Sequence, residues 1–186
     1  DTKLFRKDKS LISWKMSRQL EVIGIPVPKG LGYFKTANKS FFLSEFLSKG
    51  ILLNGYLSSI VDWQKKRDAL KKLALWLKKI HDHNVWQKDF KSSNILCVDD
   101  KYFMIDLDSV RIHQLSEKKK IINLAQLNAS LSNAISCKDR IRFFLYYSEG
   151  KISKQKQRDI YKKIVSVTLT KNTSLFGLNK AMFEFK

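Results

Sequence analysis

The sequence predicts an α+β fold, mainly helical, with one β-hairpin set among the helices. Three observations carry this. Over residues 63–82 apolar side chains recur at helical spacing with lysines between them. Residues 94–106 hold two short apolar runs on either side of Asp99-Asp100-Lys101, the pattern of a strand, a tight turn and a strand. Beyond residue 120, three more helix-length stretches follow with no strand pattern among them.

The chain has 186 residues, enough for one domain or most of one and for a sizeable core. Its apolar share of 44% and aromatic share of 12% exclude a disordered chain. Lys and Arg outnumber Asp and Glu 36 to 17, a net charge of +19. Such an excess points to an anionic partner: a nucleotide, a phosphorylated glycolipid, a membrane surface or a nucleic acid. Lysine spread over solvent faces gives the same total, and both readings stand. Cys97 lies in an apolar run and reads as a small buried hydrophobe; with Cys137 it forms neither a metal spacing nor a disulfide framework, as expected in a reducing cytosol. No run of about 18 uncharged apolar residues is present, so no bilayer span is expected. Asp1-Thr2-Lys3 is neither an initiator Met nor a signal peptide, which points to a piece of a longer chain.

In chain order, residues 1–9 read as charged and irregular. A helix is expected from Ser10, its N-cap, with Ile12, Met16, Leu20 and Ile23 on one face and Gly24 as the stop. Pro26 and Pro28 keep the next segment extended. Leu31–Tyr33 and Phe41–Phe46 read as strands around a turn at Asn38. In the helix over 63–82, Trp63, Leu70, Leu73, Leu77 and Ile80 form the buried stripe, widened by Leu75 and Trp76. His81 and His83 close it at the negative end of the dipole, where a partly protonated imidazole is favoured, and His81 reads as structural. Helices follow near Ile121–Leu131, Asp139–Tyr147 and Ser153–Val167. Phe143, Phe144, Tyr146 and Tyr147 read as core, because they lack the basic-aromatic alternation of RNA binders. The basic side of the last helix, with Lys151, Lys154, Lys156, Arg158, Lys162 and Lys163, is either a solvated face or a membrane-surface face.

The chemistry concentrates at Asp89-Phe90-Lys91-Ser92-Ser93-Asn94 and Met104-Ile105-Asp106-Leu107-Asp108. A hairpin centred on Asp100 pairs Val98 with Tyr102 and Leu96 with Met104, and sets Asn94 opposite Asp106 on one face. Two hard oxygen ligands at a hairpin mouth beside a loop carboxylate suit a Mg2+-phosphate site. The other reading is a loop and hairpin whose polar residues only cap turns.

This layout resembles the catalytic and metal loops of protein kinases, in which Asp-x-x-x-x-Asn precedes a strand, a turn, a strand and an Asp. The resemblance implies Asp89 as catalytic base, Lys91 as the lysine near the γ-phosphate, and Asn94 and Asp106 as metal ligands. From about Ser13 to Tyr147 the chain resembles the lipopolysaccharide core kinases, the Kdo and heptose kinases of the protein-kinase-like superfamily. Leu20 to Pro28 looks like that family's segment after helix C and Ile105-Asp106-Leu107-Asp108-Ser109-Val110-Arg111 like its metal loop; the Asp106-Leu107-Asp108 run and Asp139-Arg140-Ile141-Arg142-Phe143 favour this family in particular. The implied fold has a partial N-lobe and hinge over 1–48, with helix C and two or three strands, and a helical C-lobe over 49–186.

The same resemblance implies ATP and Mg2+, with backbone groups near Glu45 and Leu47 on the adenine edge and Leu96 flooring the adenine pocket; Glu45–Leu47 also reads as an ordinary edge strand. Asp108 is either a supporting hydrogen-bonding group or a turn former. Departures are Gln87-Lys88 before Asp89, and Asn123 where an acidic residue usually opens a buried helix. The sequence also shows no Gly-rich phosphate loop, no assignable strand lysine and, in helix C, no acid except Glu21 near its end. Those parts precede Asp1, or the chain is a degenerate kinase.

The expected function is phosphorylation of a sugar hydroxyl of the lipopolysaccharide inner core, in the cytoplasm at the inner membrane face. The acceptor is a glycolipid or sugar, an anionic membrane surface is a further partner, nucleic acid is disfavoured, and no obligate protein partner is implied. The short segment after Asp106 leaves little room for a regulated activation loop. The alternatives are an inactive kinase-like binding module and a small atypical RNA-associated or protein kinase.

Overall fold

The computed structural model describes residues 8–133, 135–149 and 152–172. Residues 1–7 and Lys151, which entered the sequence reading, lie outside them. Helix α1 (Lys9–Val22) is capped by Asp8, not by Ser10. The Asp8 carboxylate accepts from Leu11 N at 3.0 Å, and from Ser40 Oγ and Tyr33 Oη at 2.7 Å each. These donors favour the ionised form and hold its pKa down to about 2. Ser10 donates instead to Ser40 O at 3.0 Å. Gly24 ends the helix at φ +68°, with Ile25 N bonded to Leu20 O at 2.9 Å and Gly24 N to Glu21 O at 3.0 Å. This closure needs a left-handed residue at position 24 and brings Ile25 onto Leu20, both buried.

Strands β1 (Gly30–Lys35) and β2 (Ser40–Ser44) form an antiparallel pair with an irregularity between Gly30 and Gly32. The second strand stops at Ser44, short of the expected Phe46. Phe42 approaches Trp14 of α1 at 6.4 Å between ring centroids, while Phe34 and Phe41 stack at 4.7 Å.

A two-residue strand, β3 (Ile51–Leu52), and a short helix, α2 (Leu53–Ser59), lead to α3 (Trp63–Asp82), capped by Asp62 on Lys65 N at 2.7 Å. Helix α3 buries Ala69, Leu70, Leu73, Ala74, Leu77, Ile80 and His81. Trp63 and Leu75 are exposed, against the sequence reading. Leu75 sits two residues from both Leu73 and Leu77, about 200° round the helix from each; Trp63 lies in the first turn, before the buried stripe begins.

Strand β4 (Val85–Gln87) pairs antiparallel with β7 (Val110–Ile112), and β5 (Ile95–Val98) lies between β3 and β6 (Lys101–Met104). The β5–β6 register differs from expectation by one residue: Val98 faces Lys101, Cys97 faces Tyr102 and Ile95 faces Met104. Asp99 and Asp100 both adopt positive φ, 46° and 61°. A two-residue turn of that hand matches the strand twist and fixes the shorter loop.

Helices α4 (Glu117–Ser130), α5 (Cys137–Ser148) and α6 (Lys154–Asn172) complete the fold, α5 packing on α3 and α6 on α4. Phe143 and Phe144 are buried. Arg140, from the Asp-Arg-x-Arg-Phe segment, donates to the carbonyls of Asn128, Leu131, Ser132 and Ile135, closing the end of α4. Among the described residues no helix is long and apolar enough to cross a membrane.

Candidate active site

The loop between β4 and β5 carries Asp89 through Asn94, and its backbone is held from below. Asn123, wholly buried on α4, donates to Gln87 O at 2.8 Å. Gln126, one turn on, donates to Lys88 O at 2.7 Å and accepts from Phe90 N at 3.3 Å. Ser92 N and Oγ bond to Ser130 Oγ and O, each at 2.8 Å, and Asn54 of α2 donates to both Ser92 Oγ and Ser130 O. Phe90 is fully buried between these anchors. The loop ends in a single 3-10 turn at Ser92–Asn94 that delivers Asn94 to the mouth of the hairpin.

Asn94 Nδ2 donates to Asp89 O at 2.9 Å and approaches Asp106 Oδ2 at 3.4 Å. The corrected register puts Ile105, not Asp106, across from Asn94, with Ile105 N bonded to Asn94 O at 3.0 Å. Asp106 then takes a left-handed conformation, φ 60° and ψ 56°, which turns its side chain back to Asn94. Gln87, fully buried, fixes this bend by donating to Ile105 O at 2.9 Å and Asp106 O at 3.1 Å. The departure at Gln87 is therefore the clamp between the two loops. A buried amide on two carbonyls was not legible in the sequence, because its partners lie 18 and 19 residues away.

The Asp89 carboxylate is half-exposed and holds Lys91 Nζ at 2.6 Å, which keeps the ammonium above its usual pKa. Burial raises the Asp106 carboxyl above the ordinary carboxylate range, and the charges of Asp108 and Asp89 add to it; Lys9 offsets part. Lys9 Nζ lies 2.8 Å from Asp108 Oδ2, tying the start of α1 to the loop that follows Asp106. Nothing in the sequence pointed to Lys9, which is 99 positions from its partner by subtraction.

Four of the expected residues, Asp89, Lys91, Asn94 and Asp106, thus converge. Leu96 continues from Asn94 and meets the segment after β2: a Cβ at Gly50 would fall 2.9 Å from Leu47 O and 3.4 Å from Leu96 Cδ2. A side chain at position 50 would therefore crowd the Leu47 carbonyl, and glycine lets the backbone there pass close to Leu96. Glu45 is exposed, with its N bonded to Lys29 O at 2.8 Å.

The donor set fits Mg2+. Hydrogen bonding of Asn94 Nδ2 to backbone fixes the amide, leaving its oxygen and the Asp106 carboxylate as hard ligands. Among the described residues no group of three or more His, Cys, Asp or Glu is placed to hold a metal alone. A two-ligand site completed by phosphate oxygens is the usual arrangement for Mg2+.

His81 lies beneath this loop. Its ring bonds Tyr147 Oη at 2.7 Å and approaches Asn123 Oδ1 at 3.4 Å. Burial lowers its pKa to about 4, so at His81 desolvation outweighs the dipole's preference for a partly protonated imidazole, and the ring is neutral near pH 7.

Comparison with curated proteins finds no match. Among solved structures the chain is similar to the bifunctional kinase-methyltransferase WbdD, at 14% identity and a TM-score of 0.55. That likeness covers 90% of this chain and 43% of the other, so the chain spans less than half of that protein's length. It is a likeness of fold, and the fold is protein-kinase-like. Residues 3–147 match the lipopolysaccharide kinase (Kdo/WaaP) family, and the chain belongs to that family.

Proposed function

We propose that the protein transfers the γ-phosphoryl group of ATP to a sugar hydroxyl of the lipopolysaccharide inner core, on Kdo or heptose. The observation that carries this reading is the convergence of Asp89, Asn94 and Asp106 across two loops clamped by Gln87. Asp89 accepts a hydrogen bond from the acceptor hydroxyl and aims it for in-line attack. The transition state is loose, so orientation matters more than base strength. Lys91, held by Asp89, offsets charge on the transferring group. Asn94 and Asp106 would hold Mg2+, whose positive charge screens the phosphates. Backbone groups at Glu45 and Leu47 would take the adenine edge, with Leu96 beneath the ring. Work on a glycolipid acceptor places the protein at the cytoplasmic face of the inner membrane.

The test is transfer of labelled phosphate from ATP to lipid A–core acceptors of defined Kdo and heptose content. Absence of transfer to all of them would refute the reading. A second reading, a nucleotide-binding module without turnover, is favoured by one observation: Glu21, the only acid in α1, pairs with Arg18 at 3.2 Å near the end of the helix. ATP-dependent thermal stabilisation without transfer would establish it.

A further inference from the structure

Strands β4 and β7 form a ribbon with one buried face and one that carries cations up to Asp89. Val85, Gln87 and Val110 are fully buried on the first. On the other, Trp86 stands directly across from Arg111. The pairing runs on at both ends, with Lys88 N bonded to Ser109 O at 3.1 Å and His113 N to Asn84 O at 3.0 Å. Alternation therefore sets Trp86, Lys88, Arg111 and His113 on one side. Lys119 reaches this side from the first turn of α4. Its Nζ lies 5.0 Å from the Trp86 ring centroid and bonds His113 Nε2, while the two rings meet edge-on at 6.0 Å.

Two of these cations are held in place. Arg111 Nη1 donates to Asp108 O at 2.8 Å and Val110 O at 2.6 Å, which fixes the guanidinium beside the turn after Asp106. Its Nε and Nη2 then have no acceptor among the described residues. Lys119 stands at the positive end of the α4 dipole, where a cation is disfavoured, and Trp86 and His113 keep it there. Among the described residues, none of Lys88, Arg111 and Lys119 is ion-paired. The acids close to them in sequence are engaged elsewhere: Asp89 by Lys91, Asp108 by Lys9, and Glu117 by Lys156 and Lys163.

We infer that Arg111 and Lys119 form a specificity-determining subsite for an oxyanion of the acceptor, a carboxylate or a phosphate near the reacting hydroxyl. The inference rests on the phosphotransfer reading and deepens it, since it says which acceptors are taken. Trp86 precedes Asp89 by three residues, roughly 10 Å of extended chain, so an anion seated between Arg111 and Lys119 belongs to the same sugar as a hydroxyl at Asp89 or to the adjoining one. The open Nε–Nη2 edge of a guanidinium grips two oxygens of a carboxylate or phosphate at once, and Lys119 adds a point charge beside it. Because both cations are already fixed, little ordering is needed when the anion arrives.

The test crosses variants of the full chain with altered acceptors: an unmodified lipid A–core acceptor, one with its Kdo carboxyls methyl-esterified, and one dephosphorylated. The wild type is expected to lose roughly 10–100-fold in kcat/KM on whichever acceptor lacks the recognised anion, and that acceptor identifies the source. Arg111→Gln and Lys119→Gln are expected to lose about as much on the unmodified acceptor, through KM for the acceptor with KM for ATP unchanged, and to lose nothing further on the modified one. Thermal melts report folding, and Lys119→Gln, which leaves the Arg111 bonds to carbonyls in place, carries the test if Arg111→Gln unfolds. Wild-type turnover indifferent to both modifications would overturn the inference. So would variants that lose equally on modified and unmodified acceptors, since the cations would then only support the fold. If the wild type transfers to none of the three, the phosphotransfer reading falls. Calorimetric binding of the same acceptors without ATP then decides the subsite by itself, and equal affinity for wild type and Lys119→Gln would overturn it.

Discussion

Two hairpins of this protein share a pattern and differ in fate. In β5–β6, Ile95, Cys97, Tyr102 and Met104 are all buried, and β3 pairs with β5 to extend the sheet. In β1–β2, the equally apolar Phe34, Phe41 and Leu43 stay in water. Local alternation is the same, so alternation did not decide burial. The neighbours did: β5–β6 has α2 and β3 against it and Pro26 O accepting from Met104 N at 3.0 Å, while β1–β2 has α1 on one face only. Burial makes the first hairpin a rigid frame for Asn94 and Asp106, whereas the second presents apolar side chains to solvent.

The comparison is broken most strongly at the framed site. Replacing Asp89 with Asn is expected to reduce phosphoryl transfer by roughly 10²–10⁴-fold, the range for loss of a positioned acid–base group. ATP binding, followed by thermal shift, is expected to change little, because in the proposed mechanism Asp89 meets the acceptor rather than the nucleotide. A variant that keeps wild-type turnover would remove Asp89 from the mechanism.

Acid is expected to act next. The His81 pKa in the folded protein, about 4, lies below its ordinary 6.5. The unfolded chain therefore binds the proton more tightly, and stability is complete above about pH 6.5 and declines as the pH falls toward 4. At about 1.36 kcal/mol per unit, the loss is on the order of 3 kcal/mol. Asp8 behaves differently: with a folded pKa of about 2, its contribution persists above its ordinary 3.8 and fades only below it. Urea unfolding between pH 7 and 4.5 should thus show a slope that His81→Gln flattens; an unchanged slope would assign the effect to other groups.

Gln87→Leu keeps the volume but leaves the carbonyls of Ile105 and Asp106 without their donor. About 2 kcal/mol of stability is expected to go, with metal-dependent nucleotide affinity falling as the Asp106 bend relaxes. Urea unfolding and ATP titration with and without Mg2+ measure the two effects. Phe34→Ala, on the exposed hairpin, is expected to cost about 1 kcal/mol or less, the worth of one half-exposed aromatic pair. A loss comparable to that of Gln87→Leu would mean that the face is covered in the working protein.

Legibility in the sequence followed the range of the interactions. The α3 helix, the order of elements after it and the nearness of Asn94 to Asp106 rest on spacing within some 20 residues, and these were readable. Caps and turns were read less well. Asp8 displaced Ser10 because Tyr33 and Ser40 reach it from the hairpin, and the Asp99-Asp100 turn is one residue tighter than the centre chosen at Asp100.

By itself the sequence determined the fold class and the family, and it marked the side chains expected to meet a phosphate and a metal. It did so because apolar periodicity and motif spacing are local quantities written in consecutive residues. Tertiary structure alone decided that Gln87 clamps the two loops, that Asn123 and a neutral His81 support them, and that Lys9 meets Asp108. It also decided that one apolar hairpin is core and the other is surface. Each of these depends on which distant segment arrives to satisfy a buried polar group or cover a face, and that information is not contained in any one stretch of chain.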